Sequence, residues 1–83
     1  MNINTIPELN DDEKFILNQL IKDPETTNPE LGSMLYLSIG TIRNRFADIY
    51  EKFGVLGYGK RKRGVLIDFI KSVKEARGDD FLF

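Results

Sequence analysis

The sequence predicts an all-α, four-helix domain built around a helix-turn-helix. Three observations point to it. Apolar residues recur every three or four positions in four separate segments. Capping residues open three of those segments, at Asn10, Thr27 and Ser38. Only Leu37 stands between the second segment and the cap of the third, which is the tight turn a helix-turn-helix needs. The expected limits are an N-terminal arm at 1–8, the domain at 9–78 and a C-terminal tail at 79–83.

The first helix is expected over Asp11–Lys22. Asn10 caps it, and Glu13 three residues on completes a capping box with Asn in the usual Ser/Thr place. Asp11, Asp12 and Glu13 sit in the first turn, where the helix dipole favours negative charge. Ile16, Leu17, Leu20 and Ile21 supply the apolar face, and Pro24 ends the helix. After a polar loop at Asp23–Thr27, Thr27 and Glu30 form a second box, with Pro29 tolerated in the first turn. The second helix, roughly Asn28–Tyr36, buries Leu31, Met34 and Leu35. Gly32 inside it costs about 1 kcal/mol relative to Ala, and a close helix–helix crossing is one reason for a small residue there.

Ser38 caps the third helix, with Thr41 at the third helical position beside the free N–H groups. Ile39, Ile42, Phe46, Ile49, Tyr50 and Phe53 form one apolar stripe, and Gly54 stops the helix. The Gly-rich stretch Val55–Lys60 reads as a mobile loop. A fourth helix, about Arg61–Arg77, carries Leu66, Phe69, Ile70 and Val73 on one face and ends at Gly78. Ile67 lies off that stripe and is a candidate for a dimer contact. The tail Asp79–Phe83, acidic and then apolar, could dock on the domain or on a partner, with a frayed end as the default.

The 83 residues hold 12 Lys and Arg against 13 Asp and Glu, a net charge of −1. The distribution matters more than the total. Residues 1–35 carry −5, residues 36–63 carry +5 and residues 64–83 carry −1. A phosphate backbone feels the local patch, because charges are screened over ~8–10 Å. There is no Cys and no His. That excludes disulfides, thiolate or imidazole metal sites and nucleophile–His catalysis, and it fits a cytoplasmic protein. No apolar run approaches the ~20 residues that span a bilayer. The N-terminal residues lack the basic and apolar regions of a signal peptide.

The polar face of the third helix holds Arg43, Asn44 and Arg45 in its first two turns. Arg can bond guanine bidentately and Asn can do so to adenine. Adjacent helical residues lie ~100° apart, so these three cannot all face bases. Arg43 and Asn44 are expected on bases. Thr41, Arg45 and Lys52 are expected mainly on phosphates, with Lys60, Arg61, Lys62 and Arg63 holding the backbone. Gly54–Arg61 also satisfies G-x-x-x-x-G-K, but Arg61 replaces the Ser or Thr that binds Mg²⁺, and no strand precedes it.

The segment Leu9–Val55 resembles the LuxR/GerE-type DNA-binding domain of bacterial transcription regulators. That family reads approximately L-T-x-x-E-x-x-V-L, then S/T-N-K-E-I-A-x-x-L-x-I-S-x-x-T-V-K-x-H-x-x-x-I-Y-x-K-L-G-V. Here the first part is L-N-D-D-E-K-F-I-L, and T-N-P-E-L through I-Y-E-K-F-G-V follows in register without a gap. The resemblance implies a four-helix domain with Thr41, Arg43, Asn44, Arg45 and Lys52 where family members touch DNA. Arg43 stands where Lys is usual and Arg45 where His is frequent, so both places keep a donor. Ala47 and Asp48 carry no cation, Pro29 stands where Lys is common, and the lead-in to the fourth helix is longer.

The expectation is a sequence-specific binder of double-stranded DNA that regulates transcription, with helix 38–53 in the major groove. It is expected to act as a homodimer in the cytoplasm, with RNA polymerase or another regulator as a further partner. No cofactor, metal, membrane or catalytic residue is implied. No receiver or sensing segment is legible, so the chain reads as a stand-alone regulator or a piece of a longer one. The alternative is a protein–protein adaptor on the same fold, which the net acidity and the Phe81–Phe83 tail would suit.

Overall fold

Asn10 sets where the chain first becomes helical. In the computed structural model, which describes residues 6–83, its side chain accepts from the Glu13 N–H at 2.9 Å. The Glu13 carboxylate accepts from the Asn10 N–H at 2.9 Å, so each residue satisfies the other's orphan donor. Residues 1–5 of the expected arm lie outside the described residues. Helix α1 runs Asp11–Lys22. The turn after it is built by Thr26, whose hydroxyl donates to the Asp23 carbonyl at 2.8 Å and accepts from Gln19 at 3.2 Å.

Helix α2 (Asn28–Leu35) begins with the same reciprocal device between Thr27 and Glu30. The Thr27 N–H first, and its hydroxyl second, hold the Glu30 carboxyl below the ordinary carboxylate range. A lowered folded pKa contributes stability above the unfolded pKa and loses it as pH falls through the folded value, so acid weakens this cap.

The turn into the next helix is one residue longer than the sequence suggests. Helix α2 stops one residue early, because Tyr36 takes the left-handed conformation at φ 58°, ψ 40°. Its ring is 95 % exposed. Leu37 then donates its N–H back to the Gly32 carbonyl at 2.9 Å. That return brings the Leu37 carbonyl over Gly32, where an added Cβ would lie 2.6 Å from the oxygen. Gly32 is therefore required by the turn itself. Directly after Leu37, Ser38 accepts from the Thr41 N–H at 3.1 Å and opens α3 (Ile39–Lys52).

Helix α3 ends in a Schellman motif. The Gly54 N–H bonds the Glu51 carbonyl at 3.1 Å, and the Val55 N–H bonds that of Tyr50 at 3.0 Å. Gly54 supplies the positive φ, at 70°. The expected loop carries a 3₁₀ segment, Leu56–Arg61, broken by a kink at Gly59 (φ 58°, ψ −126°), and the buried Val55 precedes it. Helix α4 follows at Lys62–Arg77, one residue later than expected.

Ile16, Leu17 and Leu20 of α1 pack with Leu31, Ile42, Phe46 and Ile49 from the two central helices and with Leu66 and Ile70 of α4. Two apolar residues expected inside are partly exposed. Met34 and Ile39, on either side of the turn, are each 44 % exposed. Ile67 shows the reverse error. It is buried, because α4 packs on both α1 and α3 and needs a wider apolar stripe, so it offers no dimer contact.

The tail is also docked instead of frayed. Asn18 pins the Phe83 backbone with two bonds, accepting from its N–H at 2.9 Å and donating to its carbonyl at 3.4 Å. The Phe83 ring meets Phe53 edge-on at 6.4 Å, and Lys74 donates to the Asp79 and Phe81 carbonyls. Among the described residues no helix is long and apolar enough to cross a membrane.

Two substitutions at the turn should move stability in opposite directions in urea titrations. Gly32→Ala should destabilise by roughly 1–3 kcal/mol, the usual penalty for forcing atoms into filled space. Tyr36→Gly should stabilise by up to about 1 kcal/mol by relieving the left-handed conformation of a residue with a Cβ.

Candidate nucleic-acid interface

The α2–α3 pair leaves one long side of α3 uncovered. Its inner side chains, Ile42, Phe46, Ile49 and Tyr50, are buried. Its outer residues are Ile39, Gly40, Arg43, Asn44, Ala47 and Asp48, all exposed. Ser38 lies at the rim, and Thr41 is half-buried with its hydroxyl accepting from Ser38 at 2.9 Å.

The predicted DNA-contacting residues divide into two groups here. Arg43, Asn44, Lys60 and Arg61 are exposed and make no hydrogen bond, ion pair or ring contact among the described residues. Arg45, Lys52, Lys62 and Arg63 are engaged within the fold.

Arg45 reaches across to α1, its Nε 3.2 Å from Asp12 Oδ2. Both side chains are about one-third exposed, so this pair is weak and screened, and a phosphate could displace it. Lys52 is different. Its ammonium lies 2.6 Å from Oε1 of Glu13, whose side chain is fully buried. The same oxygen accepts from Asn10, while Oε2 has no partner. A buried carboxylate needs a cation, and Lys52 is the one supplied. Its expected role on phosphate therefore competes with a structural one.

Arg63 is held most completely. It donates to the Asn28 side chain at 3.0 Å and to the Thr26 carbonyl, and it stacks 4.9 Å from the centre of the Phe46 ring. Asn28 opens α2, so Arg63 ties the start of α4 to the start of α2. Lys62 lies 5.4 Å over the Tyr50 ring. Burial raises the Tyr50 phenol's pKa, with the Arg63 charge opposing, which keeps the phenol neutral. The basic run thus presents two free cations, Lys60 and Arg61, beside two that brace the fold. Arg63 and Arg43 share the wall of an open cavity with Thr27, Asn28 and Ile39.

Sequence reasoning missed Ile39 as a surface residue of this face. The available signal was its place directly after the Ser38 cap, at the first position of α3.

A short capped helix, a turn closed over a glycine, and a longer helix with one free polar side together define a helix-turn-helix domain. In agreement, a family model described as winged helix-turn-helix DNA-binding matches residues 14–48, from α1 into α3. The match ends before the point where a wing, a β-hairpin, would follow. No strand occurs among the described residues, and the 3₁₀ turn and α4 occupy that stretch. No curated protein and no solved structure matches the chain.

Removing Lys52 should expose the demand of Glu13. Lys52→Met should destabilise by roughly 1–3 kcal/mol, the scale of a buried polar group left without its partner. Lys52→Met with Glu13→Gln should cost less than the two single changes added together. Chemical denaturation of the four proteins measures that coupling.

Proposed function

We propose that this chain is a sequence-specific, double-stranded DNA-binding regulator of transcription that lays the exposed side of α3 in the major groove. The observation that carries this reading is the free state of Arg43 and Asn44 on the outer face of a helix-turn-helix. Bidentate donors held away from every internal partner, on a helix narrow enough for the groove, suit reading of guanine and adenine edges. The winged helix-turn-helix match over 14–48 supports DNA as the ligand. The register of Thr27–Val55 against the LuxR/GerE pattern supports a bacterial regulator of that type, acting in the cytoplasm. Four helices with α4 in place of a wing suit that type as well.

The division of labour follows from which side chains are free. Arg43 and Asn44 read bases. Lys60 and Arg61 hold phosphates beside the groove, and Thr41 fixes the first turn of α3. Arg45 serves phosphate only after leaving Asp12, and Lys52 and Arg63 serve the fold first. Few free cations per chain mean weak binding by one copy, so the functional unit we propose is a homodimer on a two-part site. RNA polymerase or another regulator would then meet the surface that DNA leaves open.

Titration of labelled duplexes selected from random DNA tests this. Arg43→Ala should lower affinity for the selected site at least tenfold and leave thermal stability unchanged. Lys60→Ala should weaken selected and random duplexes alike and make the slope of log K against log salt shallower by about one unit. Affinity indifferent to Arg43 would overturn the reading.

A further inference from the structure

We infer that Ile39 is a specificity-determining residue that reads the methyl group of a thymine in the major groove. This rests on the DNA-binding reading above and adds to it the identity of one base.

Ile39 stands apart from the hydrophobic core. It is 44 % exposed and is absent from both the buried cluster and the half-buried residues packed against it. It opens α3 next to the Ser38 cap, where a β-branched apolar side chain contributes little to helix formation. Its surroundings are the rims of two open cavities, one shared with Arg43 and Arg63 and the other with Tyr36 and Ser38. Among the described residues, the packed core does not include this isoleucine.

The neighbouring residue points the same way. Gly40 is helical and exposed, and a Cβ built there would meet only the Ser38 hydroxyl, at 3.9 Å. No positive φ and no internal crowding requires glycine, although helical glycine costs about 1 kcal/mol. A missing side chain there lets the first turn of α3 approach an external surface closely. Ile39 would then reach that surface with its full branched end.

Ile39, Arg43 and Ala47 follow one another at intervals of four, so they form one line along the outer face of α3. The cation lies in the middle and the apolar groups at the ends. Among base edges in the major groove, the apolar group is the thymine C5-methyl, while Arg matches guanine O6 and N7. Four residues advance ~6 Å along a helix, and base pairs advance ~3.4 Å. Thymine under Ile39 should therefore lie about two base steps from the guanine under Arg43.

The test removes one methyl group. Sites are selected from random duplexes with the wild-type chain, and each enriched thymine is replaced in turn by deoxyuridine, which lacks only the C5-methyl. At one position the wild type should lose roughly fourfold in affinity, the weight of one apolar carbon withdrawn from water. Ile39→Ala should bind the thymine and uridine duplexes equally and should bind random DNA as the wild type does. Its melting temperature should match wild type, since the residue lies outside the core. Enriched sites on which no thymine methyl matters, or on which Ile39→Ala keeps the methyl effect, overturn this inference alone. Failure to enrich any site overturns the DNA-binding reading, and the inference falls with it.

Discussion

The placement of α3 depends on the space above Gly32. The Leu37 carbonyl occupies the position a Cβ would need, and the same turn forces Tyr36 into the left-handed region. Both constraints arise from joining two helices with very few residues. The first is met by a residue without a side chain. The second is met at some cost by an exposed aromatic one, whose ring stays clear of the packed atoms. With the turn closed in this way, Ile42 reaches the core and the opposite side of α3 is left bare. Every proposal about a ligand depends on that bare side.

A second tie sets α3 against α1. The acidic first turn of α1 complements its own helix dipole, and two of its carboxylates also hold cations from α3. The positive charge that distinguishes the central third of the sequence is therefore reduced in the folded protein. Asp12 and Glu13 come from the acidic N-terminal third and partly neutralise Arg45 and Lys52. Arg63 is turned toward the start of α2. What remains for a polyanion is narrower than a charge count implies, and it is concentrated around Arg43, Lys60 and Arg61.

Much of the fold was legible because the signals were local. The reciprocal bonds at Asn10 and Glu13, and at Thr27 and Glu30, are written in four-residue strings, and they fix the starts of α1 and α2. The three-to-four-residue spacing of apolar residues likewise marked most of the core, with Met34, Ile39 and Ile67 as the exceptions. Long-range facts were not legible. Nothing in the string around Ile67 shows that α1 and α3 flank it, and nothing near Phe83 shows that Asn18 will meet it. The same limit applies to the site. Arg43 and Arg45 both read as DNA donors in sequence, and only the position of Asp12, thirty-three residues from Arg45, shows that one of them is paired within the fold.

The Asn18–Phe83 bonds join positions 65 residues apart in the chain. Loop-closure entropy makes such contacts slow to form relative to local ones. The α2–α3 turn closes across five residues, from Gly32 to Leu37. Assembly should accordingly run in a set order: the helix-turn-helix early, the tail last. The element proposed to meet DNA is thus the early-formed part of the chain, and the tail against α1 is the part added last.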